Sequence, residues 1–266
     1  MMRSLLVALL LLACTAAGAV ERVASLAPSL SEIMLDLDAG DLLVGVLDGG
    51  ERPAALAGVP SVGRYGQVEM ETLIGLKPDL LLLWPGSVNA AQRAQLEGLG
   101  IAMFVAEPHS FDQLGDTFAR LGERIGRVEQ GRRVQARFVD GIAELRRHYA
   151  RAEPLRVFYQ VWNPPLYTIG GGQIISDAIA VCGGRNVFAD LALPAPQVSV
   201  ESVLARDPQV IFGASAAQLE GWRVWAQLAA VRAGQLWSVP DNGLERPSLQ
   251  MLQATAKLCR QMAEAQ

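Results

Sequence analysis

The feature that most constrains the fold of this chain is an internal repeat. Residues 68–82 run parallel to residues 198–212, which lie 130 positions further along the chain of 266 residues. Each copy predicts a short helix that starts at an acidic residue, a break set by a proline, and then a buried apolar strand. Two copies of one unit predict two similar lobes within a single chain.

The segments around the repeat predict alternating strands and helices. Apolar runs typical of buried strands occur at residues 22–26, 42–46, 80–84 and 102–105 in the first half, and at 156–161, 210–212 and 235–239 in the second. Helical patterns lie between them, for example at 31–37, 87–99 and 222–230, and Ser110-x-x-Gln113 is a capping-box pattern. This alternation predicts an α/β fold with parallel sheets and crossover helices in both lobes.

One long helix is predicted between the lobes. Residues 128–151 contain no proline and place one apolar stripe at helical spacing, formed by Val134, Phe138, Ile142, Leu145 and Tyr149. The other faces are rich in arginine, which we interpret as a solvated surface because the formal net charge of the chain is -4. The predicted plan is a signal peptide at 1–19, an N-terminal lobe at 20–127, the connecting helix at 128–151 and a C-terminal lobe at 152–266, with the ligand cleft between the lobes.

The N-terminus has the pattern of an export signal. Arg3 precedes a short apolar run at residues 5–13, and Ala17-Gly18-Ala19 is a small-residue cleavage site. The run is too short to span a bilayer, and no later stretch is long and apolar enough to do so. An alternative interpretation is a lipobox, Leu11-Leu12-Ala13-Cys14, which would attach a lipid to Cys14.

Two cysteines, Cys182 and Cys259, remain after that segment. In an oxidising compartment such a pair is a candidate disulfide, and two buried free thiols are the alternative.

The chain carries no recognisable catalytic motif. It lacks a G-x-S-x-G elbow, a phosphate-binding G-x-x-x-x-G-K-[ST] loop, a G-x-G-x-x-G fingerprint and any cluster with zinc spacing. Its histidines are His109, in a loop that could face the crevice, and His148, on the connecting helix. We therefore expect a binding protein without a resident metal or cofactor, and keep an exported serine hydrolase or esterase as the alternative from another class.

Several aromatic residues lie where predicted elements end. Tyr65 precedes the first repeated helix, Trp84 ends its strand, and Trp162 and Tyr167 flank Asn163-Pro164-Pro165. Rings at such positions on both lobes could stack on a large, flat ligand in the cleft, whereas ordinary packing is the simpler interpretation for each ring alone.

The second half resembles the periplasmic cobalamin-binding proteins of ABC importers. The residues that carry the likeness are Cys182-Gly183-Gly184-Arg185-Asn186-Val187-Phe188 and Pro196-Gln197-Val198-Ser199-x-Glu201-x-Val203-Leu204-Ala205-Arg206-x-Pro208. The opening Arg22-Val23-x-Ser25-Leu26-x-Pro28-Ser29 and the phrase Leu76-Lys77-Pro78-Asp79-Leu80 are shared with the wider group of cobalamin, haem and iron–siderophore carriers. The resemblance covers the whole mature chain.

This resemblance implies a monomeric, non-enzymatic carrier that takes cobalamin to an inner-membrane permease dimer. Glu71 and Glu201 match the surface glutamates that dock into arginine pockets of the permease, and Cys182 and Cys259 match the family's disulfide. The alternative for each glutamate is a plain helix-start carboxylate. Cleft positions are implied for Gly49, Tyr65, Trp84 and Trp162, and for the loop Asn242-Gly243-Leu244-Glu245-Arg246.

Two positions depart from the cobalamin pattern. The loop at residues 48–51 has no tyrosine, and Ala195 stands where a bulky aromatic is expected. Both departures enlarge or soften the pocket, and they affect which corrinoid fits more than they affect the fold. The nearest alternative is a haem or siderophore carrier of the same fold, with Tyr65 or His109 as the axial ligand of a haem.

Overall fold

The structure is a computed structural model that describes residues 19–50 and 52–265. The expectations of a signal peptide and of a lipid at Cys14 fall on residues 1–18, outside the described part. Among the described residues, no helix combines the length and the apolar character needed to cross a membrane.

The N-terminal lobe is built on one sheet. Its strands are β1 (Val23–Ser25), β2 (Leu43–Asp48), β3 (Ser61–Arg64), β4 (Gln67–Val68), β5 (Leu80–Leu83) and β6 (Ala102–Val105), in the order β4-β3-β2-β1-β5-β6. Only the β3–β4 pair is antiparallel. The helices are α1 (Pro28–Asp36), α2 (Met70–Gly75), α3 (Ala90–Gly98) and α4 (Phe111–Arg124). The Ser110 hydroxyl accepts from the backbone N–H of Gln113, so α4 begins where the capping pattern predicts.

The C-terminal lobe repeats this arrangement around a longer central strand. Its strands are β7 (Leu155–Trp162), β8 (Tyr167–Thr168), β9 (Gly184–Asn186), β10 (Val210–Gly213) and β11 (Leu236–Ser238), in the order β11-β10-β7-β8, with β9 parallel to the start of β7. Its helices are α6 (Ile174–Val181), α7 (Val200–Arg206), α8 (Ala216–Leu219), α9 (Ala229–Arg232) and α10 (Gln250–Ala263). The predicted class, two α/β lobes with parallel sheets, is confirmed.

The repeat appears as a matched helix and strand in each lobe. Helix α2 leads into β5, and α7 leads into β10. Between helix and strand, Lys77 has φ 48° and Asp207 has φ 40°, and each precedes a proline. These residues are 130 positions apart and so occupy the same position of the repeat. Because a proline disfavours the right-handed helical conformation in the residue before it, both helices end at this point.

The connecting helix is α5 (Val128–His148). Val134, Phe138 and Ile142 are buried, and the Phe138 ring makes edge contacts with Phe111 and Phe118 of α4. The arginine-rich faces are exposed, as predicted. The largest apolar cluster of the described residues extends from the N-terminal sheet through this helix to the C-terminal sheet, so the lobes share a core.

A disulfide joins Cys182 and Cys259, which lie 77 positions apart. It connects the end of α6 to the middle of α10, and both residues are buried. The disulfide prediction is confirmed, and the alternative of free thiols is wrong.

The predicted helix at residues 222–230 is wrong. Trp222 ends a short 3-10 helix, a turn follows, and α9 begins only at Ala229. The indole N–H of Trp222 donates to the buried Gln160 side chain, and the N–H of Ala229 donates to Asp207 Oδ1 (2.6 and 2.8 Å). Hydrogen bonds to distant residues thus hold the two ends of the segment, and the chain between them is a turn rather than a helix.

Candidate functional site

A cleft of about 630 Å³ lies between the lobes, at the carboxyl ends of the parallel strands. This is the edge at which open parallel sheets bind ligands, because the loops that follow the strands can vary without disturbing the core. The N-terminal lobe contributes Pro28, Ser29, Leu47, Asp48, Gly49, Gly50, Tyr65 and Trp84; the C-terminal lobe contributes Asp241, Asn242, Gly243, Glu245, Arg246 and Gln250.

The loop after β2 forms the base of the N-terminal wall. A Cβ atom added to Gly49 would lie 2.6 Å from the Pro28 ring, so glycine allows this loop to pack on the segment after β1. Gly50 has φ +76°, a backbone conformation that residues other than glycine rarely adopt. Asp48 is held by the Arg52 guanidinium and by the Ser61 hydroxyl, which donates at 2.6 Å. Hydrogen bonds from the Ser61 hydroxyl and the Arg52 guanidinium hold the pKa of Asp48 below its ordinary value, so its carboxylate stays ionised and paired with Arg52.

Two aromatic rings complete this wall. Tyr65 lies at the tip of the β3–β4 hairpin, next to Gly66 with φ +75°, and is 75% exposed. Trp84 follows β5 and is half-buried; its backbone N–H donates to Ser87 Oγ at 2.9 Å, which fixes the turn that carries the ring. Both rings lie at element ends, as the sequence predicts, and the structure places each of them directly after a strand.

The opposite wall is a polar loop between β11 and α10. Asp241 caps the 3-10 helix Asn242–Glu245 through the N–H of Gly243 (2.8 Å) and also pairs with Lys257. Burial raises the pKa of Asp241, but the hydrogen bonds from Lys257 and Gly243 outweigh it, so the pKa lies below its ordinary value. The loop therefore presents a fixed carboxylate near the cleft.

Glu245 is held from beneath by the sheet of its own lobe. The hydroxyl of Tyr159, on β7, donates to Glu245 Oε1 at 3.1 Å. Burial and the nearby carboxylate raise the pKa of Tyr159 well above its ordinary value, so the phenol stays protonated and remains a donor. The sequence pattern of the loop gave no sign of this support from β7.

Arg246 lies where the two walls meet. Its guanidinium pairs with Glu32 of α1, and a Cβ atom added to Gly50 would be 3.9 Å from Arg246 Nη1. A residue of the C-terminal lobe thus reaches the N-terminal wall of the cleft.

Three expected positions do not line this cavity. Leu244 is fully buried in the core, so its side chain cannot reach a ligand. Trp162 is 60% exposed, and its indole N–H donates to the carbonyl of Pro164 in its own hairpin (2.9 Å). His109 lies in a separate surface hollow beside Glu107, at 3.6 Å.

Other lining residues were not expected from the sequence: Pro28, Ser29, Leu47, Asp48, Gly50, Asp241 and Gln250. Leu47 and Asp48 end β2 and Gly50 lies just beyond it, whereas Pro28, Ser29 and Asp241 lie three or four residues after β1 or β11. The rule that ligands bind at the carboxyl ends of parallel strands could have found them.

Among residues 19–50 and 52–265, no group of three or more His, Cys, Asp or Glu side chains is arranged to hold a metal ion. The described cleft has aromatic rings on its N-terminal wall and hydrogen-bonding groups on its C-terminal wall.

Residues 23–242 match the family described as periplasmic binding protein. The chain belongs to the periplasmic binding protein family. Members of this family are substrate-binding proteins of transport systems, and the family is periplasmic.

This periplasmic binding protein is similar in sequence and in structure to vitamin B12-binding proteins. It is 34% identical over 249 residues to the vitamin B12-binding protein of Vibrio cholerae serotype O1, covering 92% of this chain and 90% of the relative. The crystal structure of the periplasmic vitamin B12 binding protein of Vibrio cholerae matches with a TM-score of 0.81, 34% identity, and coverage of 92% and 97%. The periplasmic heme binding protein of the same organism is 18% identical with a TM-score of 0.79 (90% and 97% covered), which shows the shared fold.

The two glutamates expected to dock lie at matching places of this binding protein. Glu71 is in the first turn of α2, Glu201 is in the first turn of α7, and both are exposed. The pKa of Glu201 lies below its ordinary value because its carboxylate accepts hydrogen bonds from the backbone N–H of Glu201 itself and from the Ser199 hydroxyl. Each helix leads into the buried strand of its repeat unit, so the two carboxylates occupy equivalent positions in the two lobes.

Proposed function

We propose that this protein captures cobalamin in the cleft between its lobes and delivers it to an inner-membrane ABC importer. The observation that carries the proposal is the two-sided cavity of about 630 Å³, with rings on one wall and fixed polar groups on the other. A corrin ring offers a flat apolar face for the first, and its amide side chains offer donors and acceptors for the second. The names of the relatives that are 34% identical support the same ligand.

The ligand contacts in this proposal come from both lobes. Gly49, Tyr65 and Trp84 form the N-terminal side, and Asn242, Gly243, Glu245 and Arg246 form the C-terminal side. Since these groups bind without covalent chemistry, we expect no turnover of the ligand and no catalysis.

A titration of the mature protein with cyanocobalamin, haemin and a ferric siderophore, followed by calorimetry, tests the ligand. We expect cobalamin to bind with a Kd below about 10 μM, or roughly -7 kcal/mol. Weaker binding of cobalamin, with tight binding of haemin, would instead support the haem carrier. Tyr65 favours that second candidate, because its phenol lines the cleft and could ligate iron.

We also propose that Glu71 and Glu201 dock into positively charged pockets of a permease dimer. Two matching carboxylates, one on each lobe at the same position of the repeat, suit a partner made of two like subunits. The carrier itself is expected to be a monomer when free.

The double variant Glu71→Lys/Glu201→Lys tests this docking. Reversing both charges should weaken binding to the permease in nanodiscs at least about 100-fold while cobalamin binding is unchanged. The control is Glu153→Lys, an exposed reversal just before β7 and thus at the opposite edge of the C-terminal sheet. Unchanged affinity of the double variant for the permease would refute the docking role.

Export and maturation complete the proposal. Residues 1–19 serve as a signal cleaved after Ala19, which leaves lobes at 20–127 and 152–266 around the connecting segment at 128–151. The mass of the mature protein distinguishes cleavage after Ala19 from the attachment of a lipid to Cys14. An ester-substrate assay on the same sample tests the hydrolase alternative, and we expect no activity.

A further inference from the structure

The lobes meet beneath the cleft, where α1 of the N-terminal lobe faces the segment at residues 246–250. Glu32 of α1 is only 8% exposed, and Ser248 opposite it is 1% exposed. A carboxylate so deeply buried is stable only when several donors surround it.

Glu32 receives those donors from the C-terminal lobe. The Arg246 guanidinium pairs with Glu32 Oε1, the Ser248 hydroxyl donates to Oε2 at 2.9 Å, and the Gln250 amide donates to the same oxygen. All three donors lie within five residues of one another on the far lobe. The Glu32 side chain of the N-terminal lobe therefore binds both the end of the cleft loop, at Arg246, and the beginning of α10, at Gln250.

A second carboxylate of α1 extends this contact by one helical turn. Asp36 Oδ2 accepts from the backbone N–H of Leu249 at 3.0 Å. Leu249 is the N-cap of α10, whose first N–H groups have no partner within the helix. Asp36 satisfies one of them from the other lobe, so α1 also fixes where α10 begins.

Arg246 connects this contact to the ligand cavity, because it lines the cleft and pairs with Glu32. A guanidinium is planar and carries its five donors in a fixed fork. Holding one edge of that plane on Glu32 therefore sets the direction of the whole group at the base of the cleft.

We propose that Glu32 is a positioning residue for ligand binding: it orients Arg246 at the base of the cleft and, with Asp36, holds the lobes at the binding distance before ligand arrives. This inference rests on the proposed function, because it assigns Glu32 an effect on cobalamin affinity without direct contact.

The test uses Glu32→Gln, which keeps the shape of the side chain and removes its charge. Calorimetric titration with cyanocobalamin should show a loss of affinity of about tenfold or more. In an Arg246→Gln background the same change should cost less than about twofold, because residues that act through each other are not additive. Glu144→Gln, an exposed change on α5, is the matched control and should bind as the wild type does.

A measurement without ligand separates this inference from the proposed function. In the free protein, Glu32→Gln should speed amide hydrogen exchange in peptides covering residues 246–251, with the exchange of the N-terminal sheet and the circular dichroism unchanged. Unchanged exchange, unchanged affinity, or an equal loss in both backgrounds would each overturn the positioning role. If the wild type binds no cobalamin, the proposed function fails, and the exchange result alone decides whether Glu32 holds the lobes together.

Discussion

The two walls of the cleft are chemically different although the lobes share one fold. The N-terminal wall carries both of its aromatic rings, Tyr65 and Trp84, whereas the C-terminal wall presents a polar loop from Asp241 to Arg246. The contact beneath the cleft is divided in the same way, since Glu32 belongs to the first lobe and its donors belong to the second.

The repeat shows where this difference arose. At the offset of 130, Tyr65 corresponds to Ala195 and Trp84 to Ala214, so the second lobe has alanine at both positions where the first lobe has a cleft ring. The helix and strand between those positions keep their pattern in both lobes. Positions within the packed elements are constrained by the core, whereas the positions just after the strands are free to differ and so carry the chemistry.

The lobes also differ in covalent support, because the disulfide of the described residues lies within the C-terminal lobe. Reduction should destabilise that lobe by about 4 kcal/mol, since the bond closes a long loop of the unfolded chain. Hydrogen exchange of the reduced protein should show lost protection in α6 and α10 with the N-terminal sheet still protected. Equal loss in both lobes would mean that they unfold as one unit, as their shared core would allow.

The contact between the lobes is expected to depend on pH through Asp36. Burial and the neighbouring Glu32 raise its pKa to about 6 from 3.8, although the Leu249 N–H and Arg137 act in the opposite direction. The folded protein thus holds this proton more tightly than the unfolded chain. Its contribution to stability is therefore complete below about pH 4 and is lost as the pH rises through about 6.

Asp36→Asn removes that loss, because the amide resembles the protonated acid and can still accept from Leu249. Relative to the wild type, the variant should gain about 2 to 3 kcal/mol of unfolding free energy between about pH 4 and pH 7. Urea unfolding at both pH values measures the difference. Parallel pH profiles of the two proteins would show that Asp36 is not protonated in the folded state at mildly acidic pH.

The two walls should contribute unequally to ligand affinity. Trp84→Ala removes a stacking ring and should weaken cobalamin binding by about tenfold to thirtyfold. Asn242→Ala removes a neutral hydrogen-bonding group and should cost about threefold. Calorimetry on both variants measures the contrast, and Trp162→Ala is the matched control because that indole lies outside the cavity. A larger loss of affinity in Asn242→Ala than in Trp84→Ala would mean that the polar wall, and not the aromatic wall, contributes more to binding.

The parts of the molecule that the sequence predicted well are those with a local signal. Strands β5 and β10 are continuous apolar runs that follow a proline, and the stripe of Val134, Phe138 and Ile142 has the period of a helix. Strands β4 and β8 are only two residues long, too short to leave a pattern. The segment at 222–230 has helical spacing, but hydrogen bonds to distant residues decide its turns.

The residues of the site likewise fall into those with a signal in the sequence and those without one. Tyr65 and Trp84 could be expected from the sequence because they lie at element ends, and the loop from Asn242 to Arg246 because it resembles a cleft loop of the cobalamin-binding proteins. Nothing local marks Leu244 as buried, Trp162 as turned to its own hairpin, or Tyr159 as the support of Glu245, since each depends on what packs against it.

By itself, the sequence determined that the chain has two repeated α/β lobes, a helix between them and aromatic residues at the edges of the strands. These features follow from hydrophobic period, proline position and chain order, all of which act over a few residues. The tertiary structure alone decided that the rings face a polar loop and that Glu32 holds Arg246 at the base of the cleft. The latter residues are more than two hundred positions apart, and only the packing of one lobe on the other brings their charges together.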